Sequence, residues 1–153
     1  MTVNKLPKRL RRLSNIWAGH ARYFVTICSF GRQPVLATKH VDQRVRAFIT
    51  ESLERHGVWV DCYVVMPDHL HLILSMANES VKLGEWVKAF KAVVTRHEFK
   101  WQAGYFDHVL RSDESTRDKW NYIRMNPVRK GLVESPDKWP FAGYFDPKTG
   151  NEM

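Results

Sequence analysis

The pattern of apolar and polar positions along the chain changes period several times, and each change predicts an element. Residues 22–30, RYFVTICSF, are dense in aromatic and β-branched side chains, which predicts a first strand that residues 31–34 bring to an end. Val41, Val45, Phe48, Ile49 and Leu53 then recur at helical spacing, with Thr38 or His40 near the start and Gly57 past the end, so a first helix is expected over 41–55. A second strand, Val58–Val65, is turned by Pro67 and Asp68 directly into a third, His69–Met76. Leu83, Trp86, Val87, Phe90, Val94 and Phe99 place a second helix over roughly 83–99, and Gly104 breaks it. Residues 105–110 read as a short fourth strand, and Ser112, Asp113 and Glu114 announce a third helix running to about Met125, where Asn126 and Pro127 stop it. The remainder, 134–153, reads as an irregular tail with Trp139, Phe141, Tyr144 and Phe145 as packing anchors.

Strand, helix, strand, strand, helix, strand is the split βαβ order of ferredoxin-like (RRM-like) α+β folds. Such a fold is an antiparallel sheet with helices on one face, followed here by an extra C-terminal helix. The 153 residues suit a single domain, 1–153, and no repeat, Gly/Ser linker or low-complexity segment divides them.

Composition adds a class of partner. The 24 Lys and Arg against 16 Asp and Glu leave a net charge of +8, which favours a polyanion. Lys5, Lys8, Arg9, Arg11 and Arg12 form a basic arm within 1–20, and Lys88 and Lys91 line the polar side of the second helix. The arm reads equally as a solvated tail or as a contact for a nucleic-acid backbone, whereas for the helix a solvated face is the default reading over such a contact. No apolar run reaches the roughly 18 residues needed to cross a bilayer, and no apolar stretch follows the basic start, so a cytoplasmic protein without a membrane partner is expected. Cys28 and Cys62 fall in different strands without a C-x-x-C partner and read as small buried hydrophobes.

The chemistry gathers at His69-Leu70-His71. Strand alternation sends both imidazoles to one face and Leu70, Leu72 and Leu74 to the other, and two parallel imidazoles make a clamp for a divalent metal. Taken alone, H-x-H is more often two outward polar positions of a half-buried strand. Far downstream, Tyr122 and Asn126 stand at i and i+4 on the third helix, where a phenol and an amide oxygen can approach one point. If that helix packs beside the third strand, two imidazole nitrogens and one amide oxygen form a set suited to Mg²⁺ or Mn²⁺. Tyr122 would then be a nucleophile toward phosphorus, its ionisation favoured by the cation and by Arg124 or Lys130. Taken singly, Tyr122 is an ordinary packed tyrosine and Asn126 a helix stop.

The segments VMPDHLHLI (65–73) and YIRMNPVRKGLV (122–133) together resemble the two signature blocks of the REP-associated tyrosine transposases. These belong to the HUH single-strand endonuclease superfamily, near the insertion-sequence transposases that use one tyrosine. The resemblance runs from about Tyr23 to Phe145. It implies that His69 and His71 are metal ligands, that Asn126 is the third, and that Tyr122, on the extra helix, is the catalytic nucleophile. It further implies cleavage of single-stranded DNA beside palindromic (REP-like) hairpins through a 5′-phosphotyrosine, with rejoining of strands in transposition or recombination. The insertion-sequence branch usually has Gln where this chain has Asn126, a departure that fits the palindrome-associated branch. Arg124, Arg129 and Lys130 join the basic arm, Lys88 and Lys91 as candidate DNA contacts, in a monomer or a homodimer. Two other classes stay open: a non-catalytic module binding DNA or RNA hairpins, and a metallohydrolase using water in place of tyrosine.

Overall fold

The computed structural model describes residues 21–110, 113–145 and 152, with the backbone alone for 113–115. Lys5, Lys8, Arg9, Arg11, Arg12 and Ser112 lie outside the described residues. The elements are β1 (Arg22–Cys28), α1 (Lys39–His56), β2 (Val58–Val65), β3 (His69–Met76), α2 (Leu83–Thr95), β4 (Phe106–Leu110), α3 (Asp113–Arg124), the one-turn α4 (Asn126–Arg129) and β5 (Ala142–Tyr144), with 3₁₀ turns at Phe30–Arg32 and Pro136–Lys138.

The strands form one antiparallel sheet in the order β4-β1-β3-β2-β5, so the α+β, ferredoxin-like order of the first four strands is observed. α1 begins where Thr38 Oγ1 accepts the Val41 N–H at 3.2 Å and ends at Gly57, whose φ of 71° is the left-handed cap that a side chain would resist. Trp86, Val87, Phe90 and Val94 of α2 close with α1 over Val25, Ile27, Leu70, Leu72 and Leu74. Two buried polar bonds lock this layer: Trp86 Nε1–H donates to Ser52 Oγ at 2.8 Å, and Tyr63 O–H donates to Asp42 Oδ1 at 2.6 Å.

The other face of the sheet carries a smaller apolar cluster of Cys62, Val64, Met66, Ile73, Leu110 and Ile123, flanked by Phe24, Trp120, Trp139 and Tyr144. Ile123 pins α3 onto this face, and α3 touches β2 and β3. Both cysteines are buried, as expected.

The structure corrects several expected boundaries. The first strand stops at Cys28, because Phe30 turns outward in the 3₁₀ turn and is 58% exposed. α2 ends at Thr95, where Arg96 (φ 44°) and His97 (φ 65°) leave the helical region. Phe99 still packs on the core, delivered by the loop rather than by the helix. α3 ends at Arg124, just before Asn126 and Pro127 as expected, but those two residues also open a new turn. They begin α4, since the missing proline N–H is harmless in a first turn.

The tail is also less irregular than expected, because Ala142–Tyr144 pairs with Cys62, Tyr63 and Val64 as a fifth strand. A Cβ on Gly143 would stand 2.9 Å from the Tyr63 ring, so glycine permits that approach. The four tail aromatics do pack as anchors.

β2 carries one extra residue. Val60 pairs with Leu74 and Cys62 with Ile73, which leaves Asp61 as a bulge. Its carboxylate takes the Arg22 Nε–H at 3.1 Å and the Trp59 Nε1–H at 3.0 Å, and its carbonyl takes the Phe145 N–H at 2.8 Å.

Candidate functional site

β3 delivers the two imidazoles as the alternation requires: Leu70, Leu72 and Leu74 are fully buried toward α1 and α2, while His69 and His71 face the α3 side. The rings lie 4.8 Å apart between centroids. The turn before them is fixed by its backbone. Met66 N–H donates to His69 O at 2.7 Å, Ser29 N–H to Asp68 O at 3.0 Å, and Leu36 N–H to Pro67 O at 2.9 Å.

Each imidazole is held through Nδ1. His69 Nδ1 is 2.7 Å from Asp68 Oδ1, whose other oxygen accepts Arg32 Nε–H at 3.0 Å. Arg32 Nη2 is also 3.3 Å from that nitrogen, but two donors cannot share one hydrogen bond. The shorter bond to a carboxylate decides for Nδ1–H, with Arg32 fixing the carboxylate. His71 Nδ1 lies 2.9 Å from Thr26 Oγ1 on the paired strand, and Phe24 stacks on its ring at 5.0 Å. With Nδ1 engaged in both rings, Nε2 is the atom left to meet a ligand.

The electrostatics keep both rings neutral. Burial, then the neighbouring charges of His69, Lys119, Arg129 and Arg32, push His71 down to about 3. Burial lowers His69 too, assisted by Arg32 and Lys130, against an opposing pull from Asp68. The Asp68 carboxyl is itself held below its usual value: burial would raise it, but hydrogen bonds and charge from His69 and Arg32 outweigh that. Neutral imidazoles are the form that binds metal.

Tyr122 sits on the outer turn of α3, 58% exposed. Two cations flank its ring: Arg129, whose guanidinium carbon is 4.0 Å from the centroid, and Lys119, whose ammonium is 5.5 Å away. Lys119 also lies 4.8 Å over Phe24, the ring that stacks on His71, so one ammonium bridges the tyrosine and the histidine neighbourhood. Asn126 Oδ1 accepts a hydrogen bond from Arg129 Nη2. Among the described residues there is no cluster of three or more His, Cys, Asp or Glu, so a metal at the imidazoles would need an amide such as Asn126, or water, to extend its ligand set.

The remaining candidates divide. Arg129 and Lys130 lie at the site, close enough for their charges to act on the histidines. Arg124 turns instead to Asp137 at 3.3 Å and to the Trp120 ring. Lys88 and Lys91 are on α2, across the sheet from the histidines. Lys91 Nζ is committed to the Gln102 and Gly104 carbonyls at 3.0 and 2.8 Å. Thr26, Arg32, Asp68 and Lys119 complete the site without having been singled out by the sequence. Only Asp68, directly beside His69, carried a local signal.

The model of the family described as "Transposase IS200 like" matches residues 18–126, which includes both histidines and Tyr122. The chain belongs to that family. The chain is 26% identical over 125 residues to the REP-associated tyrosine transposase of Escherichia coli, with 80% of this chain and 75% of the relative covered. A Haemophilus influenzae protein provisionally given the same name is 23% identical over 139 residues, covering 80% and 78%. Among solved structures, a REP-associated tyrosine transposase bound to a REP hairpin superposes with a TM-score of 0.69 at 25% identity, over 80% of this chain and 75% of that one. Membership gives the chain a transposase-like role in processing DNA. No helix among its described residues is long and apolar enough to cross a membrane.

Proposed function

We propose that the chain is a metal-dependent transesterase of single-stranded DNA that nicks and rejoins strands beside a palindromic hairpin. The observation that carries this reading is the exposed Tyr122, linked through Lys119 and Phe24 to a pair of neutral imidazoles with Nε2 available. The hairpin is supported by the partner of the superposed relative.

In this reading the Tyr122 oxygen attacks the scissile phosphorus. A Tyr–O–P bond forms, the bond to the 3′-oxygen breaks, and the tyrosyl proton ends on the departing 3′-hydroxyl. The 5′ end stays on the protein with its phosphodiester energy retained, so the 3′-hydroxyl can reverse the step without a nucleotide cofactor. Arg129 and Lys119 face the incoming phosphate as cations. His69, His71 and Asn126 would hold Mg²⁺ or Mn²⁺, which supplies Lewis-acid polarisation of the phosphate oxygens.

The deciding experiment incubates the protein with an end-labelled single-stranded hairpin from the DNA around its own gene, with and without Mn²⁺, and resolves products on a denaturing gel. The expected product is a labelled 5′-phosphate fragment covalently attached to protein, lost in Tyr122→Phe while hairpin binding persists. Nicking by Tyr122→Phe without an adduct would instead make the protein a hydrolase using water. Binding with neither metal response nor adduct would make it a non-catalytic hairpin module.

A further inference from the structure

Arg129 does more at this site than contribute charge. Its guanidinium carbon lies over the nucleophile's ring, 4.0 Å from the centroid. One nitrogen, Nη2, donates both to the Tyr122 carbonyl at 2.7 Å and to Asn126 Oδ1. Both hydrogens of that nitrogen are therefore spent, and the amide oxygen expected to face the metal is turned to a cation instead. A bidentate grip on a phosphate through the end of the guanidinium uses Nη1 and Nη2 together, so the same group cannot serve Asn126 and a phosphodiester at once.

We propose that Arg129 is a phosphate-responsive latch: without DNA it occupies the Asn126 amide oxygen, and a phosphodiester arriving beside Tyr122 draws it away and frees that oxygen for the metal. DNA binding and divalent-metal binding then strengthen each other, by reciprocity to the same degree. Arg129 is a positioning residue for the metal and a direct contact for DNA. The proposal rests on the metal and nucleophile roles assigned above.

The test measures Mn²⁺ affinity from the electron paramagnetic resonance signal of free Mn²⁺. It uses the full chain in a Tyr122→Phe background, so that the hairpin is bound but not cut. DNA should tighten Mn²⁺ binding on the order of tenfold. Arg129→Ala should bind Mn²⁺ tighter than its parent without DNA, by a similar factor, and respond to DNA less than the parent does, keeping only what direct contact between metal and phosphate supplies. Arg129 is exposed, so neither substitution there endangers folding.

Arg129→Lys separates the latch from simple repulsion between charges, because lysine keeps the charge but lacks the planar fork. It should behave like Arg129→Ala toward Mn²⁺. Adding Asn126→Ala to Arg129→Ala should cancel the gain. If Arg129→Lys matches the parent, or DNA tightens parent and Arg129→Ala alike, the latch is wrong. Mn²⁺ binding indifferent to His71→Ala would remove the metal site itself, which is a separate failure and takes the latch with it.

Discussion

The two faces of the sheet are built to different rules. Toward α1 and α2, the side chains of Val25, Ile27, Leu70, Leu72, Leu74 and Phe90 are fully buried, and the polar pairs Trp86–Ser52 and Tyr63–Asp42 are hydrogen-bonded within the layer. Toward α3 the apolar cluster is small, and beside it stand two imidazoles held at one nitrogen each, an exposed tyrosine and a set of cations. The first face can be altered only at the cost of volume and packing. The second can be altered with little cost in packing but a large change in chemistry. Stability and function are thus assigned to opposite sides of one strand, β3, by nothing more than the parity of residue number.

Four substitutions or conditions press on this division, from the largest effect to the smallest. Phe90→Ala empties the α1/α2 layer and should cost about 3–5 kcal/mol in urea unfolding. Mn²⁺ affinity of the folded fraction should be unchanged, and a comparable loss there would show that the faces are not independent.

Acid is the next lever. The folded pKa of His71 is depressed, so between about 6.5, the ordinary imidazole value, and about 3 the unfolded chain carries more protons than the native one. Stability is therefore complete above that window and lost as pH falls through it, by up to about 1.4 kcal/mol per pH unit for this group. His69 is shifted the same way. His71→Asn should flatten the unfolding midpoint against pH by its share, and an unchanged slope would contradict the burial argument.

Thr26→Val removes the hydroxyl that meets His71 Nδ1 and keeps the β-branched shape. Calorimetry should find Mn²⁺ bound about 10–100-fold more weakly, with an unfolding midpoint close to the parent's. On the solvent side of α1, Arg55→Ala breaks only the exposed pair with Glu51. It should shift stability by less than about 0.5 kcal/mol and leave DNA cleavage untouched.

Much of the α1/α2 face could be read from the chain, because its determinants are local. Strict alternation in β3 declared both faces, and Thr38 with Gly57 bracketed α1. What escaped was set by distant partners. Ala142-Gly143-Tyr144 has poor strand propensity and becomes a strand because β2 offers it an open edge. The segment 96–99 keeps helical spacing while its backbone has left the helix. At the site, the histidines, Tyr122 and Asn126 stood out by spacing and resemblance. Thr26, Arg32 and Lys119 did not, since their relevance arises only when β1, the 3₁₀ turn and α3 converge on β3.

The bulge at Asp61 makes the length of β2 a fixed quantity. By register, Val58 and Val60 before it and Tyr63 and Val65 after it stand opposite the even-numbered residues of β3 that face the α1/α2 layer, so one inserted unit keeps the two pairs in step. Shortening the strand by a single residue would exchange inside and outside along one half, sending either Val58 and Val60 or Tyr63 and Val65 to the wrong layer. Point substitutions are therefore absorbed here more readily than any change of frame.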